Sequence, residues 1–186
     1  KDLGGLNVTI PYKEEIIPYL DELSDEAKEI GAVNTICFEN NKKIGYNTDI
    51  FGFTESLKIN SINNINAMII MGTGGAAKTI IYFCKKNKIP FNIVSRKNSK
   101  DYLAYKDINH SFFGGNVLIV NCTPVGTYPK INECPDLPYN LLEKENILYD
   151  LVYNPSETLF IKKGKEIGCR TLNGYEMLKF QAEMSW

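Results

Sequence analysis

The chain has one histidine, one tryptophan and almost no net charge in its 186 residues, and each scarcity excludes a class of function. With His110 the sole imidazole, and no CxxC spacing among Cys37, Cys84, Cys122, Cys134 and Cys169, neither a structural nor a catalytic zinc site is expected. The same spacing argues against a disulfide framework and reads as reduced cysteines of a cytosolic protein. A formal net charge of −1, with lysines scattered among acids, offers no electrostatic footprint for nucleic acid. No apolar run approaches the ~20 residues that span a bilayer, so no membrane partner is expected. No signal peptide, internal repeat or low-complexity tract is visible, and the chain opens on Lys1 without an initiator methionine. What is present is a globular composition, 44% hydrophobic, sufficient for one large or two small domains.

The stretch MIIMGTGGAAKTIIYFC, residues 68–84, turns an apolar run of strand length into helical periodicity through a cluster of glycines. Gly72, Gly74 and Ala77 fill the small positions of a GxGxxG/A fingerprint. The first allows a tight turn, the second lets backbone approach a pyrophosphate, and the third permits close helix packing. Thr73, Gly75 and Ala76 complete a loop whose amides would face an anion at the helix start. A lone glycine motif also describes an ordinary tight turn. Here a second strand, Phe91 to Ser95, follows after a helix of crossover length and supplies the βαβ context. That strand ends in Ser95-Arg96-Lys97, where an NAD site would carry an acid for the ribose 2′-hydroxyl. Arg96 and Lys97 suit a 2′-phosphate instead, which favours NADP over NAD. The plainer alternative is two solvated basic residues after a strand.

The Asn-rich stretch from Asn60 to Asn66 reads as a linker. Before it, the pattern predicts a short strand around Asn7 to Thr9, helices at Glu14 to Leu23 and Ser24 to Ile30, and a hairpin of Val33 to Phe38 with Lys43 to Tyr46. A helix is expected from Asp49 to Leu57. Beyond the linker, strands at 67–71, 91–95, 116–121 and 147–152 are apolar almost throughout, as in a parallel sheet covered on both faces. Helices at 75–87, around 100–106 and at 157–167 fill the crossovers, giving a doubly wound α/β domain.

Three polar clusters stand outside the glycine loop. In NVTIPYK, Pro11 stops the strand and Lys13 could point into a cleft. Asn34-Thr35 interrupts the apolar AVNTICF, where an unsatisfied amide would be costly to bury. Asn47-Thr48-Asp49 joins a strand to a helix. Taken one at a time, these residues also read as a surface lysine, a satisfied core amide and a helix cap.

Together the ordered motifs NVTIPYK, AVNT, YNTDIFG, GTGGAAK, NCTPVG, YNP and GYEMLKFQA resemble the shikimate dehydrogenase family over nearly the whole chain. The resemblance implies an α/β substrate domain with a Rossmann domain, and NADP-dependent, reversible oxidation of the 3-hydroxyl of shikimate in the cleft between them. The expected division is 1–60 for the substrate part, 61–172 for the NADP-binding part and 173–186 for a returning C-terminal helix.

By that resemblance Lys13 and Asp49 match the catalytic pair, and Thr9, Asn34, Tyr153 and Gln181 match substrate ligands. Gly72 through Ala77, with Ser95, Arg96 and Lys97, match the nucleotide site. Asn121, Thr123, Pro124 and Gly126 match the loop beside the nicotinamide ribose, and Gly174 joins the cofactor set. Ser95-Arg96-Lys97 stands where many members carry Asn-Arg-Thr, and Thr127 where methionine is frequent. Hydride leaves an alcohol carbon only as its O–H proton leaves, so a proton acceptor must lie within hydrogen-bond reach of that oxygen. Lys13 and Asp49 are therefore treated as a coupled pair. Relative to the family pattern the chain reads as truncated at the N-terminus, without a serine-bearing carboxylate-binding segment, and slightly at the C-terminus. Edges exposed by missing strands would invite self-association, and a homodimer is compatible with the sequence. Quinate with NAD, or a noncatalytic NADP-binding regulatory module, are the alternatives.

Overall fold

A computed structural model describes residues 3–96 and 99–186, arranged around two sheets. The smaller sheet contains β1 (Gly5–Asn7), β2 (Glu22–Leu23), β3 (Thr35–Glu39) and β4 (Lys42–Tyr46), in the order β1-β3-β4-β2. The expected hairpin is present: β3 and β4 pair antiparallel with Glu39 opposite Lys42. Asn40 and Asn41 between them both take positive φ, 50° and 61°, as a tight two-residue hairpin turn of type I′ requires. Helix α1 (Asp25–Ile30) starts where Ser24 accepts a hydrogen bond from Ala27 N at 3.1 Å and stops at Gly31, with φ of 69°.

The helix expected over Glu14 to Leu23 does not form. Pro18 lacks an amide donor and crowds the preceding turn, so the segment closes only a 3₁₀ turn at Ile17–Tyr19. The chain then extends into β2, which pairs in parallel with β4.

The larger sheet is wholly parallel and runs β6-β5-β7-β8-β9 among β5 (Ala67–Met71), β6 (Phe91–Val94), β7 (Val117–Asn121), β8 (Ile147–Asp150) and β9 (Arg170–Leu172). Helices α2 (Asp49–Ile59), α3 (Gly75–Asn87) and α5 (Tyr175–Ser185) bury Ile50, Phe53, Ile80, Phe83 and Met177 against one face. Helix α4 (Leu159–Ile167) and the loops around Phe113 and Leu142 cover the other with a second apolar cluster. Helices on both faces make this a doubly wound sheet, as expected. The strand β9 had no sequence signal strong enough to predict it.

A helix around 100–106 is also absent. The outer edge of β6 has unpaired backbone groups, and the chain uses them: Leu103 N donates to Ile93 O at 2.8 Å and Ser95 N to Leu103 O at 3.0 Å. Only a 3₁₀ turn, Tyr105–Asp107, follows.

Helix α2 ties the two regions together. Phe53 stacks on Tyr149 with ring centroids 5.5 Å apart, and the Tyr149 hydroxyl donates to Ser56 Oγ at 2.7 Å. At Gly52 the helices α2 and α5 approach so closely that an added Cβ would lie 2.5 Å from Met177 O. That contact places the first turn of α2 beside α5.

Candidate active site

The strand order reverses between β5 and β7, and ligands of open α/β sheets collect beyond the carboxyl ends at such a point. The two loops leaving those ends are Gly72–Gly74 and Cys122–Gly126. Gly72 takes φ of +116°, a conformation that only glycine adopts without strain, and a Cβ there would meet Thr123 Cγ2 at 3.2 Å. Gly74 is the extended N-cap residue of α3, and no side chain caps that helix. A Cβ built on Gly74 meets nothing within 4 Å, so the loop faces open space. Uncapped amides at the start of a 13-residue helix, a glycine turn and room before them fit a pyrophosphate.

This loop lines a groove of about 310 Å³ together with Ser95, Arg96, Thr123 and Pro124. Gly72, Thr73, Gly74, Gly75 and Ala76 all face it, whereas Ala77 is fully buried and serves helix packing. Lys97 lies outside the described residues. Tyr105, which carried no sequence signal, also lines the groove because the segment pairing along β6 delivers it there. Burial pushes its hydroxyl up to about 12, opposed by the positive charge of Arg96.

An adjoining cavity of about 600 Å³ is lined by Thr9, Lys13, Asn34, Asp49, Tyr153, Gly174 and Gln181. Lys13 and Thr123 line both spaces, so they communicate. Lys13 Nζ donates to Asp49 Oδ2 at 2.5 Å, with side chains 15% and 7% exposed. The lysine stem lies against the nucleotide loop, since a Cβ on Gly75 would be 3.0 Å from Lys13 Cβ. Asp49 opens α2, where Asn47 Oδ1 accepts from Ile50 N at 3.3 Å.

Asn34 is the node behind this pair. Its Nδ2 donates to Thr48 Oγ1 at 2.8 Å and lies 3.1 Å from both Asp49 Oδ1 and Gln181 Oε1. Its Oδ1 accepts from Thr48 N at 2.7 Å. Ser185, on the last turn of α5, sits 2.9 Å from the hydroxyls of both Thr35 and Thr48. The buried amide is thus satisfied on every side, and α5 is latched onto it.

The remaining expected site residues divide. Thr123 and Pro124 face both spaces. Asn121 is fully buried, with its amide donating to Asp150 Oδ1 at 2.9 Å and its oxygen accepting from Thr123 N at 3.1 Å, so it shapes the loop from within. Gly126, at φ of +95°, turns the loop against Thr158. Gly174 faces the larger cavity and not the nucleotide groove. It also permits close passage of Leu151, whose carbonyl oxygen would lie 2.1 Å from an added Cβ. Thr127 Oγ1 donates to Asn154 O at 3.1 Å. Cys122 lines both spaces, and burial pushes its thiol upward, which keeps it protonated.

A glycine-turn groove at the switch point, opening onto a lysine–aspartate pair, defines a nucleotide-dependent oxidoreductase of the doubly wound α/β class. The sequence profile of the shikimate dehydrogenase substrate binding domain matches residues 1–36. A shikimate dehydrogenase (NADP(+)) of Clostridium beijerinckii is 44% identical over 191 residues, covering 97% of this chain and 69% of that protein. Shikimate dehydrogenase 1 from Peptoclostridium difficile superposes with a TM-score of 0.87 at 40% identity, over 98% of this chain and 69% of its own. The enzyme from Thermus thermophilus, solved with NADP(H) and shikimate, gives a TM-score of 0.87 at 29% identity, over 100% of this chain and 72% of its own. The chain belongs to the shikimate dehydrogenase family.

Proposed function

We propose that this chain catalyses the NADP-dependent, reversible oxidation of the 3-hydroxyl of shikimate to 3-dehydroshikimate, a step of the shikimate route to aromatic amino acids. The observation that carries the reading is the Lys13–Asp49 pair, 2.5 Å apart, in a cavity that shares Lys13 and Thr123 with the nucleotide groove. In this reading residues 1–60 and 173–186 serve the substrate, and 61–172 serve the nucleotide.

NADP, when bound, supplies the hydride acceptor. Gly72–Ala76 and the start of α3 hold its pyrophosphate, Ser95 and Arg96 its adenine ribose phosphate, and Thr123 and Pro124 its nicotinamide end. Thr9, Asn34, Tyr153 and Gln181 orient the substrate's hydroxyl and carboxylate groups. As the carbon–hydrogen bond breaks, Lys13 and Asp49 together take the hydroxyl proton, and in reduction Lys13 returns a proton to the alkoxide. The reading includes a cytoplasmic setting, which the cysteines without disulfide spacing support, and a homodimer is the assembly to test by light scattering.

The decisive measurement is the initial rate of NADPH formation from shikimate and NADP+ by the purified chain, with quinate and NAD+ in parallel. Turnover confined to shikimate and NADP+ is expected. NADPH binding with no turnover of either acid would remove the enzymatic reading and leave a nucleotide-binding module.

A further inference from the structure

Asp150 ends β8 fully buried, and its carboxylate gathers hydrogen bonds from separate pieces of chain. Asn121 Nδ2 donates to Oδ1 at 2.9 Å, Val152 N donates to Oδ1 at 3.0 Å, and Thr158 Oγ1 donates to Oδ2 at 2.5 Å. Each donor belongs to a different wall component. Asn121 controls the loop after β7: its Oδ1 accepts from Thr123 Oγ1 at 2.6 Å and its Nδ2 also reaches Val125 O at 3.3 Å. Val152 precedes Tyr153, and both line the larger cavity. Thr158 caps α4 by accepting from Ile161 N at 3.4 Å, and lies against Gly126.

A carboxylate suits this demand, because its two oxygens offer about four acceptor sites and no donor. An amide would either turn its nitrogen toward the Asn121 and Val152 donors or force the Thr158 hydroxyl to rotate and accept instead. The arrangement is otherwise unfavourable, because among the described residues no cation offsets the buried charge, and loss of hydration pushes the carboxyl up to about 6 against the three hydrogen bonds. A buried group that works against folding yet organises two walls of a cleft points to function.

We propose that Asp150 is a positioning residue that locks the loop carrying Thr123 and Pro124 to the turn carrying Tyr153, so that the nicotinamide and substrate walls of the cleft are held as one unit. The proposal rests on the reading above for what occupies each wall. It assigns to one side chain, which touches neither ligand, a simultaneous effect on both.

The test uses the full chain and three variants: Asp150→Asn, Thr158→Val and Thr158→Ser. NADPH affinity is read by nucleotide fluorescence, shikimate KM and kcat by initial rates, and folding by thermal denaturation at the same pH. Asp150→Asn is expected to weaken NADPH binding and raise shikimate KM together, each by about tenfold, as loss of a charge-assisted bond predicts. Thr158→Val, which removes the donor to Asp150 together with the cap of α4, should shift both constants in the same direction by less, and Thr158→Ser, which keeps the hydroxyl, should leave them as in the parent. If the single variants melt earlier but bind NADPH and shikimate as the parent does, Asp150 is purely structural and the proposal fails. A change in one ligand alone also overturns it. The nucleotide measurement needs no turnover, so if the reaction assignment fails, unchanged NADPH affinity in Asp150→Asn still overturns the proposal.

Discussion

Lys13 Nζ donates to Asp49 Oδ2 at 2.5 Å although 36 positions separate the two residues. The lysine leaves a turn after β1, and the aspartate opens α2. Their meeting depends on Asn34, which holds Thr48 and Asp49 in place through three short contacts.

Replacing Lys13 by Met keeps most of the stem against Gly75 while deleting the ammonium. The variant Lys13→Met is expected to lose roughly 10²- to 10⁴-fold in kcat, the range for a missing proton-transfer group, with NADPH affinity nearly unchanged. Steady-state rates and a fluorescence titration check both halves. A variant retaining most of its turnover would remove Lys13 from the proton relay.

Arg96 is exposed at the rim of the nucleotide groove, beside Tyr105. Arg96→Ala should lower kcat/KM with NADP+ by roughly tenfold or more, as expected for a lost bond to a charged group, and leave the value with NAD+ almost unaltered. Equal losses with both nucleotides would show that the arginine does not read the 2′-phosphate.

At Gly52 an added Cβ meets Met177 O at 2.5 Å and Gln181 Cβ at 2.9 Å, and neither a backbone carbonyl nor a helix-borne Cβ can step aside. Gly52→Ala is therefore predicted to destabilise by about 1–3 kcal/mol, through forced separation of α2 and α5. The same displacement draws Gln181 from Asn34, so shikimate KM should rise more than NADP+ KM. Urea unfolding with unchanged midpoint would contradict the packing argument.

Asp150 makes stability depend on pH in a direction set by its burial. Its carboxyl is raised from an ordinary value of 3.8 to about 6, so the folded chain binds the extra proton across that interval. This component of stability is full below the ordinary value and is lost as pH rises through about 6. The Cys122 thiol and Tyr139 phenol respond to the Asp150 charge, and burial pushes both upward, away from this window. In parallel urea titrations the stability of the parent relative to Asp150→Asn should fall by roughly 2–3 kcal/mol between pH 4 and 7. A difference that stays level or grows would place the titration elsewhere.

The sequence by itself determined the alternation of elements beyond residue 66, since fully buried parallel strands must be continuously apolar and their crossovers must carry helical periodicity. It determined the glycine turn, because φ of +116° at Gly72 selects glycine, and the hairpin, because Asn40 and Asn41 accept positive φ. The basic end of β6 and the ordered polar motifs marked out the family. Local pattern failed where long-range pairing competed with it. Leu103 bridges to the edge of β6 and only a 3₁₀ turn follows it, Pro18 stops a helix that the apolar spacing favours, and β9 pairs with β8 despite a weak signal. Only the tertiary structure decided which polar residues meet. Asn34 with Gln181, Asn121 with Asp150, and Tyr105 within the groove of Arg96 are separated in the chain and joined by helix packing and strand order. Such contacts follow from where closely packed elements place their side chains, and that is a property of the whole fold rather than of any local stretch.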